Sequence, residues 1–79
     1  MLDPNAPLPL SRQLASLIRR QIESGELAPG SRLPSINRLA AEHDIATATV
    51  VKAIRILKSE GLVTGVSGHG TFVTEQGGT

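Results

Sequence analysis

Five basic side chains stand in the middle of the chain and could hold a polyanion if the fold placed them on one surface. Lys52, Arg55 and Lys58 recur at three-residue intervals, and the other two are Arg32 and Arg38. Ammonium and guanidinium groups bind phosphate through charge-assisted hydrogen bonds. The formal net charge is only +1, so the placement of these charges matters more than their sum.

Residue types suited to catalysis or metal binding are scarce. The chain has no Cys, which excludes disulfides, thiolate catalysis and cysteine-ligated zinc. Its two histidines, His43 and His69, lie far apart in the sequence and do not make a zinc site without such neighbours. No Ser-His-Asp constellation or carboxylate pair is evident. We therefore expect no enzyme activity, no bound metal and no cofactor.

Length and composition indicate one small domain with an aliphatic core. The chain has 79 residues, and Phe72 is its only aromatic residue. No apolar run approaches the roughly 20 residues that span a membrane. Residues 1–9 lack the basic and apolar regions of a signal peptide. We expect a cytoplasmic protein.

Hydrophobic periodicity predicts two helices in the first half of the chain. Residues 1–9 contain three prolines and should form an extended, partly disordered lead-in. A first helix should run from residue 9 or 10 to 24 and end at Gly25. A second, shorter helix should follow Ser35 as N-cap and end near His43. Its buried residues would be Ile36, Leu39 and Ala40.

The stretch DIATATVVKAI, residues 44–54, is compatible with either a strand or a helix. Periodicity favours a helix from residue 46 or 47 to 60, because a strand of ordinary length does not explain so long a pattern. The inward side would carry Val50, Ala53, Ile54 and Leu57. Ala46 cannot cap this helix, which leaves Asp44 or Thr47 to satisfy its free N–H groups.

The end of the chain predicts a hairpin and a tail. Within residues 62–73, two β-rich runs flank the glycine-containing turn SGHG. Arg32 and Leu33 could form another, very short strand. Residues 74–79 have little to bury and should be flexible. Residues 10–73 thus form a mainly α winged helix-turn-helix, with three helices and the hairpin as wing.

In a winged helix-turn-helix the helix 46–60 would fit the major groove of DNA, because a ~10 Å helix matches a ~12 Å groove. Ser35 and the first N–H groups of the shorter helix suit a phosphate. The face of helix 46–60 opposite its apolar stripe carries Thr47, Ala48, Val51, Lys52, Arg55 and Ser59, with Thr49 at its margin. The hairpin tip, Ser67, Gly68, His69 and Gly70, is small enough to approach a sugar-phosphate edge. Lys52, Arg55 and Lys58 could otherwise be a solvated helix face.

Four sequence motifs are specific in combination, although each is weak by itself. They are SGELAPGSRLPS at residues 24–35, the pair Leu39 and Ala40, the run T-V-x-x-A-I-x-x-L-x-x-E-G-L-V at 49–63, and GHGTFV at 68–73. With them, the chain from about Pro7 to Val73 closely resembles the N-terminal DNA-binding domain of GntR-family bacterial transcriptional regulators.

The resemblance implies a winged helix that binds operator DNA as a homodimer, followed by a ligand-sensing and dimerising domain. No such domain follows within these 79 residues, so an effector would act only through a domain absent here. We expect either an excised DNA-binding module or an unusually small stand-alone member.

The family's DNA contacts, carried over by position, fall on Ser35, Asn37, Thr47, Ala48, Thr49, Val51, Ser67, Gly68 and His69. Family members typically have Arg at the positions of Asn37, Thr47 and Val51, so the contact of Arg with guanine is missing at the last two. Methyl groups of Thr47 and Val51 could meet a thymine methyl instead. Arg38, Lys52 and Arg55 would supply phosphate contacts. Few cationic contacts predict a shallow salt dependence of binding.

We therefore expect a sequence-specific DNA-binding transcriptional regulator, specifically a repressor, that reads a palindromic operator through helix 46–60 and wing 62–73. Arg32 and Gly70 complete the expected DNA-binding set. The alternative is a protein-protein interaction module with weak or no DNA binding, in which the uncharged positions Thr47, Ala48 and Val51 form the docking or dimer surface.

Overall fold

The computed structural model describes residues 2–75, which form three helices followed by a two-stranded hairpin. The helices are α1, Leu10–Ser24, α2, Ile36–His43, and α3, Thr47–Ser59. The strands are β1, Val63–Val66, and β2, Gly70–Val73. The predicted winged helix-turn-helix architecture is confirmed. None of the helices within residues 2–75 is long and apolar enough to cross a membrane.

The predicted limits of α1 are confirmed, and local chemistry explains both ends. The carbonyl of Pro9 accepts hydrogen bonds from the N–H groups of Arg12 and Gln13. At the other end Gly25 adopts φ 88°, a left-handed conformation that glycine enters without a Cβ penalty, and its N–H donates to Ile22.

Helix α2 begins as predicted, with the Ser35 hydroxyl accepting a hydrogen bond from the Arg38 N–H at 3.1 Å. It ends at Asp44, whose left-handed backbone (φ 54°) turns the chain towards α3. Helix α3 starts at Thr47 behind Ala46, and no side chain caps it. The expected cap from Asp44 or Thr47 was therefore wrong, because Asp44 is already committed to the end of α2.

The hairpin pairs Val63 with Val73 and Val66 with Gly70 in antiparallel register. The short strand predicted at Arg32 and Leu33 is present as a single bridge between Arg32 and Phe72. The Leu33 N–H donates to the Thr71 carbonyl at 2.8 Å, and the Val73 N–H donates to the Ser31 carbonyl at 2.8 Å. This pairing attaches the wing to the connection between α1 and α2.

The core lies where α1 and α2 pack on α3. Its buried side chains are Leu14, Ala15, Ile18, Leu33, Leu39, Ala40, Val50, Ala53, Ile54, Leu57 and Val63. Three residues expected in the core are less enclosed. Leu10 and Phe72 are half-buried, and Ile36 is 37% exposed. Ile36 occupies the first helical position of α2, where only the far side of the turn meets the core.

Both ends of the domain are more ordered than predicted. The lead-in is turned rather than extended, because the Gln13 side-chain amide donates to the carbonyls of Asp3 and Leu8 at 2.8 and 2.7 Å. At the other end the Thr74 hydroxyl donates to the Gly61 carbonyl at 2.6 Å, and the Thr74 N–H donates to Leu62. Residues 76–79 of the predicted tail lie outside the described residues.

We expect Leu57→Ala to lower the free energy of unfolding by about 2–5 kcal/mol, because Leu57 is 0% exposed between the helices and its truncation leaves a cavity. Urea unfolding followed by circular dichroism measures this change. Leu8→Ala, at a side chain 42% exposed, is the matched control and should be nearly neutral. Equal stability of the two variants would contradict the assignment of Leu57 to the core.

Candidate nucleic-acid interface

Burial of four α3 residues fixes which side of this helix faces solvent. Val50, Ala53, Ile54 and Leu57 are buried, at 0 to 5% exposure. The exposed side carries Thr47, Ala48, Val51, Lys52, Arg55, Lys58 and Ser59, and Thr49 is half-buried at the margin, as expected. The uncapped start of α3 also presents N–H groups and the positive end of the helix dipole.

A groove of about 210 Å³ runs between the start of α2 and the base of the wing. Its lining includes four predicted site residues, Arg32, Ser35, Asn37 and Gly70, together with Ile36, Ile54 and Thr71. Gly70 has φ 111°, and a Cβ there would lie 2.9 Å from the Arg32 Nε. The Arg32 guanidinium thus lies directly against the wing backbone, and the close approach requires glycine at position 70.

The wing tip is small and exposed. The His69 N–H donates to the Val66 carbonyl at 2.9 Å and closes the turn, in which Gly68 adopts φ 78°. Lys58 reaches the same element from α3, since a Cβ on Gly65 would lie 3.1 Å from the Lys58 Nζ. Helix α3 and the wing therefore present one continuous surface that ends at Ser67, Gly68 and His69.

Two basic residues among the described ones are occupied by ion pairs. Arg19 of α1 holds Glu60 at the end of α3 through two hydrogen bonds of 2.9 and 2.8 Å. Arg38 of α2 faces Glu42 at 3.2 Å, with 72% of the Arg38 side chain exposed. An exposed pair of this kind contributes about 0–1 kcal/mol. A phosphate could displace Glu42 at small cost, although Arg38 shares no groove with the other expected contacts.

Arg12 of α1 is a candidate contact that the sequence analysis missed. It lines a cleft of about 500 Å³ together with Lys52 and Arg55 of α3. The other lining residues are Pro9, Ser11, Ile56 and Ser59, so no carboxylate borders the cleft. Three cations thus share one surface without a neutralising neighbour in the cleft. Periodicity assigned Arg12 to the outer side of its own helix but did not indicate which helix would lie beside it.

The structure brings most of the predicted site residues together on the surface formed by α3, the start of α2 and the wing. All of them are exposed except the half-buried Thr49. Lys52 and Arg55 meet at the cleft with Arg12, whereas Arg32, Ser35, Asn37 and Gly70 meet at the groove beside the wing. Side chains with a positive charge therefore flank the uncharged first turn of α3 on both sides.

Comparison with known sequences gives a consistent family match. The model of bacterial regulatory proteins of the gntR family matches residues 2–73. The mannosyl-D-glycerate transport/metabolism system repressor of Escherichia coli is 41% identical over 68 residues, which are 86% of this chain and 28% of that protein. The transcriptional repressor NagR of Bacillus subtilis is 35% identical over 74 residues, 94% of this chain and 30% of that protein. The chain thus spans less than a third of either relative.

Solved structures with the same fold are similar over nearly the whole chain. YtrA from Sulfolobus acidocaldarius, a GntR-family transcription factor, superposes with a TM-score of 0.89 at 34% identity, covering 96% of this chain and 80% of YtrA. The DNA-binding domain of AraR in complex with operator ORX1 superposes with a TM-score of 0.85 at 33% identity, covering 94% of this chain and 92% of that domain.

We expect Ser35→Ala to lower the free energy of unfolding by about 1 kcal/mol, because it removes the acceptor for the Arg38 N–H. Ser35→Asp should keep wild-type stability, since an aspartate caps equally well and its charge favours a helix start. Thermal unfolding of both variants measures the difference. Ser67→Ala at the exposed wing tip is the control, and a Ser35→Ala variant as stable as this control would refute the capping role.

Proposed function

The chain belongs to the GntR family of bacterial regulatory proteins, and from this premise we propose that it is a sequence-specific DNA-binding domain of a transcriptional repressor. The observation that carries the proposal is the exposed α3 face, flanked by cations from α1 on one side and by the start of α2 and the wing on the other. The AraR domain, similar in fold, is bound to operator DNA, which supports duplex DNA as the partner. Both curated relatives compared above are named repressors.

In the proposed complex α3 lies in the major groove with its first turn towards the base edges. Thr47, Ala48 and Val51 would contact bases, and the half-buried Thr49 would contribute at the margin of the face. Ser35 and the N–H groups at the start of α2 would bind a phosphate. The wing tip would follow the adjacent sugar-phosphate edge.

Phosphate contacts determine the orientation of the domain and most of its affinity, whereas base contacts determine specificity. Lys52 and Arg55 are suited to the former role, because both lie at the rim of the α3 face rather than beside its first turn. Arg32 would reach a phosphate at the wing base, where its guanidinium already lies along Gly70. Asn37 and Arg38 would contribute from α2, the latter after exchange of Glu42 for phosphate.

We propose that two copies bind a palindromic operator, with one α3 in each half-site and half-site centres about 10 base pairs apart or a multiple of this. An effector would act through a further domain of the kind that the family resemblance implies. The DNA-binding domain itself would comprise residues 10–73, with residues 1–9 and 74–79 as its flanking segments. The relatives, of which the shared stretch is less than a third, are longer proteins in keeping with such a plan.

We expect Lys52→Ala/Arg55→Ala to weaken binding to duplex DNA at least about tenfold, because two charge-assisted phosphate contacts are lost. The slope of log K against log salt should fall by about 2 × 0.9. Fluorescence anisotropy of a labelled duplex at several salt concentrations measures both quantities.

Arg20→Ala is the matched control for this experiment, because Arg20 is an exposed α1 arginine and lines neither the cleft nor the groove described above. Unchanged binding by the double variant would exclude the proposed α3 contact. Absence of binding by the wild-type protein itself would favour the protein-protein interaction module.

Arg12→Ala should also weaken duplex binding and reduce the salt slope by about 0.9, the value for one phosphate. The reason is that Arg12 lines the same cleft as Lys52 and Arg55. The same titration measures the change against Arg20→Ala, a variant that removes the same charge from the same helix. Equal slopes for the two variants would show that the cleft does not meet the DNA backbone.

A further inference from the structure

Two large apolar side chains on different helices remain exposed on the surface proposed to bind DNA. Ile36, at the start of α2, is 37% exposed, and Val51, in the second turn of α3, is 36% exposed. Both residues line one groove of about 160 Å³. We call this pair the Ile36–Val51 clamp.

The groove has an apolar interior and a cationic rim. Its inner surface includes Ile54, a core residue only 5% exposed, and its remaining lining residues are Arg55, Lys58 and Thr71. No carboxylate or amide side chain borders it, so Thr71 is its only side chain that can accept a hydrogen bond. A partner that fits this groove must offer an apolar group between negative charges.

Duplex DNA presents one such group in the major groove. The thymine 5-methyl is the single apolar substituent there, and all other base-edge groups are hydrogen-bond donors or acceptors. The groove is large enough for a methyl group, since a water molecule of similar size occupies about 30 Å³ in the liquid. Phosphates on either side would meet Arg55 and Lys58.

The position of Ile36 supports contact with a base edge. Ile36 directly follows Ser35, the N-cap proposed to bind a phosphate, and its side chain lines both the 160 Å³ groove and the groove beside the wing. An isoleucine at this helix position contributes little to the core, because more than a third of its surface stays exposed. Its apolar character is therefore available to a ligand.

We propose that the Ile36–Val51 clamp binds a thymine 5-methyl group in each half-site, which makes Ile36 a specificity-determining residue beside Val51. The proposal rests on the DNA-binding function proposed above and adds the group that is read. An acidic apolar segment of a protein would also match the groove and its rim, and the experiment below separates the two partners.

The test compares one duplex made with thymine and with uracil. The probe is the tightest-binding duplex selected by this protein from a random library of about 20 base pairs, which spans two half-sites about 10 base pairs apart. Copies of that duplex are synthesised with deoxythymidine or with deoxyuridine throughout. Uracil keeps every hydrogen-bonding group of thymine in the major groove and lacks only the methyl.

Wild-type protein should bind the uracil duplex about fourfold more weakly for each half-site occupied, the factor that corresponds to ~0.8 kcal/mol for one buried methyl-sized group. Ile36→Ala/Val51→Ala should bind both duplexes with equal affinity. Leu8→Ala, at an exposed apolar side chain of the lead-in, should keep the full preference for thymine. Circular dichroism confirms that each variant is folded.

Equal affinity of the wild-type protein for the two duplexes would overturn the methyl contact while leaving DNA binding intact. A preference for thymine that persists in Ile36→Ala/Val51→Ala would assign the effect to another part of the protein and would also overturn it. Failure to select any duplex would overturn both this proposal and the DNA-binding function, and would favour the acidic protein segment.

Discussion

Burial of one aliphatic stripe on α3 is the interaction on which the rest of this structure depends. The stripe is Val50, Ala53, Ile54 and Leu57, and it contacts α1 on one side and α2 on the other. With one aromatic residue and no disulfide in 79 residues, the domain has no other comparable source of apolar contact. The burial sets the rotation of α3 about its axis, so it also sets which side chains remain available to a partner.

The wing has its own attachment to this helical core. Arg32 bridges Phe72, the Leu33 N–H and the Thr71 carbonyl are paired, and Thr74 is bonded back to the end of α3 through Gly61 and Leu62. A two-stranded hairpin is marginal by itself in water. These bonds hold the wing beside the start of α2, which places a phosphate-sized groove between them.

The charges follow from the same packing. Arg19 is bound to Glu60 at the boundary between α1 and α3, whereas Arg12, two turns earlier on α1, lies beside Lys52 and Arg55. The acidic residue of the first pair and the basic residues of the cleft therefore occupy opposite ends of the α1–α3 contact. A chain with a net charge of only +1 thereby presents a locally cationic surface.

The sequence by itself determined the order of the elements, the ends of α1 and α2, the inward stripe of α3 and the hairpin. These features depend on local chemistry, since caps, left-handed glycines and apolar periods act over a few residues. Tertiary structure alone decided that Ile36 is exposed, that Phe72 is half-buried and that Arg12 joins Lys52 and Arg55. Periodicity shows which residues share a face of one element, but only the packing of elements shows what covers that face or lies beside it.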